Sequence, residues 1–204
     1  MHKDLKVFCT KVGDILTNCY VIYDIETNDG IMIDPGDVSD RLDMIIKPLN
    51  IKYILLTHGH FDHIGGVAYY KDKAKCDVVM MREESEFINN QSLSLGPVNS
   101  FKADILLEDN DELEFNKYKI KVLATPGHTK GGCCYIIENY IFTGDTLFEG
   151  SVGRIDFPTG SFRNLKASLA RLKSLKTNYS VYPGHGEITR LNYEKSTNPY
   201  LQKV

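Results

Sequence analysis

The chain has 204 residues and a mass of 23.1 kDa, enough for one domain with a full core. Hydrophobic residues make up 42% and charged residues 25%, a balance that excludes a disordered chain. A net charge of −3 and a pI near 6.1 exclude a general attraction to phosphate backbones or anionic membranes, and no apolar run nears the roughly 20 residues a membrane span needs.

The N-terminus, MHKDLKVFCT, lacks an apolar h-region and a small-residue cleavage site, so no secretory signal is expected. Cys9, Cys19, Cys76, Cys133 and Cys134 are odd in number, irregularly spaced and without a C-x-x-C, which reads as buried or incidental thiols in a reducing cytoplasm. His2, at the terminus, is assigned no role.

Three strands open the chain, over 6–10, 18–23 and 30–33. They are rich in Val, Ile, Tyr and Phe, and Asn28-Asp29-Gly30 supplies a turn, so an antiparallel meander is expected. Leu42, Ile45, Ile46 and Leu49 recur at i, i+3, i+4, i+7, which predicts an amphipathic helix over 40–49. The apolar run 53–56 suits a buried strand. Helix over 64–71, strand over 77–80 and helix over 82–90 follow, with Asp62 as a cap for the helix after it. A second cycle has a strand over 118–124 and a hairpin from 133–137 and 140–143 around Glu138-Asn139. It continues with a helix over 162–175 capped by Ser161, with Phe162, Leu165, Leu169 and Leu172 on its apolar stripe, and ends in a strand over 179–182. Two groups of strands, each followed by helices, predict an α/β fold of two packed sheets with helices outside. No linker or repeat divides the chain, so one domain over 1–204 is expected.

Five of the six histidines fall in three places, each just after a predicted strand and flanked by Gly: Thr57-His58-Gly59-His60-Phe61-Asp62-His63, Pro126-Gly127-His128-Thr129 and Pro183-Gly184-His185-Gly186. Strand C-terminal ends are where α/β folds present functional loops. Chance gives H-x-H-x-D-H in about four in ten thousand chains of this composition. Residues 58 and 60 of an extended segment project the same way, and the turn into a helix aims Asp62 and His63 elsewhere, so one short segment feeds two neighbouring metals. Imidazole and carboxylate without an obligatory thiolate favour zinc, iron or manganese. Asp145, in Thr143-Gly144-Asp145-Thr146, follows another strand, and its two oxygens suit a bridge between cations. Asp34, Thr57 and Thr143 are candidates to orient the histidines, with a tight turn as the alternative role of Asp34-Pro35-Gly36. Phe61, Phe148 and Phe157 lie on the same loops and are candidates to line a pocket.

These four motifs, in this order, resemble the metallo-β-lactamase superfamily, and the resemblance extends from Asn18-Cys19-Tyr20 and Ile33-Asp34-Pro35-Gly36 to Asn198-Pro199-Tyr200. It implies a four-layer αβ/βα sandwich. It also implies two divalent ions, zinc foremost, with His58, His60 and His128 on the first, Asp62, His63 and His185 on the second, and Asp145 bridging. The true lactamases generally carry Cys where Asp145 stands, so the likeness is to the glyoxalase II-like branch, which hydrolyses thioesters. Arg154, in Gly150-Ser151-Val152-Gly153-Arg154, occupies the place of a basic residue for the glutathione carboxylate. Only 19 residues follow His185, so the helical C-terminal domain of full-length glyoxalase II is expected to be absent. The stretch from Gly150 to Gly160, with Arg154, Asp156 and Phe157, is similar to small bacterial glyoxalase II-like proteins.

The implied reaction is hydrolysis of a small thioester by a metal-bridging hydroxide. Two divalent ions about 3.5–4 Å apart bring the pKa of a shared water toward about 7, and Asp62 orients the nucleophile or takes its proton. A thiolate leaves without a strong proton donor, whereas an amine needs one. The alternative is a mononuclear iron enzyme like the persulfide dioxygenases, whose Gly153-Arg154-x-Asp156-Phe157 pattern is also similar. A superfamily nuclease ranks lower because the chain is acidic and has no basic arm. A metal-binding protein without activity ranks lowest. A small-molecule partner is expected, with neither nucleic acid nor membrane.

Overall fold

The computed structural model describes residues 4–204; His2 lies outside them. The chain divides into two compact units. One takes the residues up to Met80 together with Ser85–Leu106, and the other takes Met81–Glu84 with Leu107–Val204.

The first unit opens with β1 (Leu5–Val12), β2 (Thr17–Asp24) and β3 (Asp29–Ile33), the expected antiparallel meander. Asn28, with φ of 58°, makes the left-handed turn before β3. Then come α1 (Asp40–Ile46), β4 (Asn50–Leu55), α2 (Phe61–Ile64), α3 (Val67–Ala74), β5 (Asp77–Met81), a 3-10 turn (Arg82–Phe87) whose residues up to Glu84 belong to the second unit, α4 (Gln91–Ser94) and β6 (Ile105–Leu107). The six strands form one sheet in chain order, and β3, β4 and β5 run parallel. Val21, Met32, Leu42, Ile54, Ile64, Val67, Tyr70 and Val78 anchor its core.

Three local expectations are corrected here. The single helix over 64–71 is two, broken at Gly65-Gly66. A Cβ there would come within 2.4 Å of the Gly36 carbonyl oxygen and 2.7 Å of that of Pro35, and Gly66 N–H donates to Pro35 O at 2.9 Å. The strand-end turn at 34–37 thus occupies the break. The helix over 82–90 is instead a 3-10 turn over Arg82–Phe87 followed by the separate α4. Asp62 is not a cap, because α2 starts at Phe61 with His60 at the N-cap and no side-chain cap bond.

The second unit contains β7 (Glu112–Phe115), β8 (Tyr118–Ala124), β9 (Cys133–Ile137), β10 (Tyr140–Gly144), β11 (Leu147–Phe148), β12 (Ser151–Val152), α5 (Phe162–Ser174), β13 (Ser180–Pro183), β14 (Thr189–Arg190), α6 (Leu191–Thr197) and α7 (Pro199–Gln202). Its sheet has the order β14-β13-β10-β9-β8-β7, antiparallel except where β10 and β13 run parallel across the α5 crossover. The β9–β10 hairpin turns at Glu138, φ 54°. Ser161 caps α5, accepting from Asn164 N–H at 3.3 Å. Leu165, Leu169 and Leu172 are buried as expected, but Phe162 is 60% exposed and leaves the apolar stripe. The strand at 180–183 is not the last; β14 and two short helices follow it.

Mixed sheets with helices in both units make the fold class α/β. All five cysteines are free, four of them buried and Cys9 half-buried. Among the described residues, no helix is long and apolar enough to cross a membrane.

Candidate metal centre

Topology gathers the candidate residues at strand ends. In the first unit β3 and β4 are parallel, so Asp34, after β3, and the 57–63 segment, after β4, share one sheet edge. Asp34, at φ 50°, makes a tight turn in which Gly36 N–H donates to Asp34 O at 2.9 Å. Its carboxylate is buried and faces three donors. Oδ1 accepts Thr57 N–H at 2.8 Å, and Oδ2 accepts the Thr57 hydroxyl at 2.6 Å and faces His63 Nδ1 at 2.9 Å. Turn and orienting residue are therefore both roles of Asp34.

These contacts fix two tautomers. A hydroxyl has one proton, and that of Thr57 goes to Asp34. At 3.1 Å from His58 Nδ1, the Thr57 oxygen acts as acceptor. His63 Nδ1 likewise donates to Asp34. Both rings carry the proton on Nδ1, and each neutral ring keeps its lone pair on Nε2, the form that binds a metal. His63 Nε2 lies 3.5 Å from Asp62 Oδ2, which accepts the Thr17 hydroxyl at 2.8 Å. Asp34, His58 and His63 each offer an atom within 4.8 Å of the others, but the Asp34 oxygens meet Nδ1 and Thr57 donors, so Asp34 orients the rings. His60 is buried, with its ring edge-on to His58 at 4.8 Å and to Phe87 at 6.0 Å.

In the second unit β8, β10 and β13 point the same way, because β9 is antiparallel to both β8 and β10, and β13 is parallel to β10. His128, Asp145 and His185 follow these strands and emerge at one edge. The His128 loop is fastened to α5: Ser161 N–H donates to Gly127 O at 2.8 Å and the Ser168 hydroxyl to Pro126 O at 2.7 Å. His128 Nδ1 lies 2.6 Å from the Arg154 carbonyl, which can only accept, so this ring too has Nε2 as its lone-pair nitrogen. That nitrogen faces Asp145 Oδ2 at 3.5 Å, and His185 Nε2 faces the same oxygen at 3.6 Å. Phe157 stands edge-on to His128 and Phe148 to His185, each 6.1 Å between centroids. Thr143 donates to Leu147 O at 2.8 Å, which places it in the support of the β11–β12 hairpin.

The Arg154 guanidinium is engaged: Nε and Nη2 donate to the two oxygens of Asp156 at 2.7 and 2.5 Å, and the group lies 4.1 Å over the Phe157 ring. The Arg154 fork holds the Asp156 carboxyl down at about 2, below the usual carboxylate range. Sequence reading missed two buried glutamates. Glu84 accepts Gly131 N–H at 2.7 Å behind the His128 loop. Glu194 accepts from Thr189 Oγ1, Gly150 N–H and Asn198 Nδ2 at 2.7, 2.9 and 2.9 Å, tying α6 to the β11–β12 turn. Glu is ordinarily exposed, so neither left a local signal. The Arg-x-Asp spacing of Arg154 and Asp156 was visible.

Each unit thus presents an imidazole Nε2 toward a carboxylate oxygen at a distance that suits a cation between them. The donor set, histidine and aspartate without thiolate, fits zinc, iron or manganese.

The model of the Metallo-beta-lactamase superfamily matches residues 12–185. A hydroxyacylglutathione hydrolase, GloC, of Haemophilus influenzae is 35% identical over 196 residues, covering 90% of this chain and 92% of that protein. The crystal structure of BLEG-1 B3 metallo-beta-lactamase superposes with a TM-score of 0.89 at 32% identity, covering 96% of this chain and 99% of the other. TTHA1623 in a di-iron-bound form superposes at 0.83, also at 32% identity, covering 95% of this chain and 100% of the other. With the family model running through both six-stranded sheets and about a third of residues shared over nearly the full length, this chain belongs to the metallo-β-lactamase superfamily.

Proposed function

We propose that this protein is a metal-dependent hydrolase of small thioesters that works with two divalent ions, zinc foremost. His58, His60 and His128 hold one, Asp62, His63 and His185 hold the other, and Asp145 bridges them. In this reading the two units act as a single metallo-β-lactamase-like domain, which the span of the family match supports. The observation that carries the proposal is the convergence at Asp145, where two imidazole Nε2 atoms face one carboxylate oxygen at 3.5 and 3.6 Å. With its Nδ1 proton given to the Arg154 carbonyl, a neutral His128 turns a lone pair toward Asp145, and His185 Nε2 stands opposite the same oxygen, so a cation among them would meet two nitrogens and a carboxylate. The GloC relative supports the choice of thioester.

When bound, the ions supply a nucleophile at neutral pH and take up charge on the substrate carbonyl oxygen. The chain supplies the rest. Asp34 and the Thr57 hydroxyl hold His58 and His63 in the ligand tautomer, and the Arg154 carbonyl does so for His128. Asp62, steadied by Thr17, orients the attacking water and accepts its proton. Phe148 and Phe157 shield the ligands from bulk water. The thiolate leaves unaided, which suits a chain in which no proton donor stands out.

The test is hydrolysis by protein loaded with zinc, manganese or iron, across S-lactoylglutathione, simpler acyl thioesters, lactones, esters and a β-lactam. The expected result is turnover of thioesters that a chelator or His58→Ala abolishes. Silence across the panel would overturn the proposal. Oxygen uptake on a persulfide by iron-loaded protein, without hydrolysis, would put the dioxygenase reading in its place.

A further inference from the structure

The loop after β12 carries the Arg154–Asp156 pair beside the second unit's histidines. The Arg154 carbonyl meets His128 Nδ1 at 2.6 Å, and the Phe157 ring under the guanidinium is 6.1 Å from the His128 ring. Arg154 therefore stands where a cation would greet an anionic substrate. Its Nε–Nη2 fork, the edge that matches a carboxylate with two parallel bonds, is already filled by Asp156 at 2.7 and 2.5 Å. Both side chains are more than half exposed, so the pair faces solvent. The Nη1 edge keeps its donors, but any carboxylate reaching it meets a pair of zero net charge with the Asp156 oxygens alongside.

We propose that Asp156 is a specificity-determining residue: by filling the guanidinium fork of Arg154 it biases the site toward uncharged S-acyl thioesters over those that carry a carboxylate. This rests on the thioester reading above. Two residues away on the same loop, Asp156 competes with any free carboxylate at an effective concentration of about millimolar or more, at or above the roughly 1 μM–1 mM at which enzymes commonly meet their substrates. The guanidinium lies 4.1 Å over the Phe157 ring, a cation–π contact that adds to the two Asp156 bonds in holding it in place.

Asp156→Asn removes the charge and keeps the shape. Metal-free wild type and variant are titrated with S-methylglutathione, which bears carboxylates, and with the neutral thioether N-acetyl-S-methylcysteamine, following the Arg154 Nε–H resonance by NMR. The variant is expected to bind the anionic probe about two- to fivefold more tightly, the range for freeing one exposed ion-pair partner, relative to the neutral probe. Arg154→Gln added to the variant is expected to abolish that gain. In metal-loaded protein, the KM ratio of S-lactoylglutathione to a neutral lactoyl thioester falls by a similar factor. No gain for the anionic probe, or an equal change for both probes, overturns the inference. A wild type without thioester hydrolysis sinks the proposed activity instead, and the titration still decides the role of Asp156.

Discussion

Replacing Asp34 with Asn exchanges one oxygen for an NH2 and adds no backbone strain, since Asn tolerates the φ of 50° found there. The retained oxygen still accepts Thr57 N–H. The new NH2 takes the place of Oδ2, which meets the Thr57 hydroxyl at 2.6 Å and His63 Nδ1 at 2.9 Å. Two donors then face a donor. The His63 ring escapes by moving its proton to Nε2, the nitrogen that lies 3.5 Å from Asp62 Oδ2, and a protonated Nε2 does not bind a metal. The Thr57 hydroxyl must also turn, which frees the His58 proton to move. Loss of such an orienting partner costs about 10–100-fold in metal affinity. Leaving one buried donor unmet costs about 1–3 kcal/mol, which for a chain of this size lowers Tm by about 2–12 °C. Competition against a fluorescent zinc chelator measures the first, a thermal melt of metal-free protein the second, and 15N NMR of the histidine rings the tautomer. Affinity within twofold of wild type, with His63 still protonated at Nδ1, would refute the reasoning.

Gly153→Ala places a Cβ 1.8 Å from the Asp145 carbonyl oxygen and 3.1 Å from His128 Nδ1. It is expected to cost at least about 1–3 kcal/mol and to displace the Asp145 backbone and the His128 ring, read as a lower Tm and weaker metal uptake; a silent substitution would place the 145–153 contact elsewhere. The thiols give a chemical check. Burial pushes Cys134 up to about 12 and Cys76 up to about 11, and also raises Cys19. At pH 8 the thiolate of Cys134 is a fraction of about one in ten thousand. Iodoacetamide on native protein is expected to modify half-buried Cys9 well before these three, with mass spectrometry of the digest as readout; early labelling of Cys134 would contradict its placement.

The candidate ligands were legible because each sits in a short polar run just past an apolar strand, and within each unit strand direction alone carries them to one edge of its sheet. The antiparallel meander and α5 were legible from the alternation and the 3.6-residue period. What escaped depends on contacts distant in sequence. The break at Gly65-Gly66 exists because the turn at 34–37 lies against it, and the periodicity of 64–71 holds no trace of that turn. Phe162 fits the apolar stripe by spacing, yet it sits in the first turn of α5, where it is 60% exposed. Short strands such as β14 have too few residues for an alternation to register. The partners of Asp34 were half legible: a carboxylate at the end of a strand suggested an orienting role, but that one carboxylate governs two histidine tautomers through the Thr57 hydroxyl emerges only from the distances.

Anomalous scattering from crystals of metal-loaded protein, recorded at the zinc, iron and manganese edges, tests most directly whether these residues hold two metal ions. The predicted result is two peaks per chain, one among His58, His60 and His128 and one among Asp62, His63 and His185, with Asp145 touching both. A single peak, or peaks away from these side chains, would contradict it.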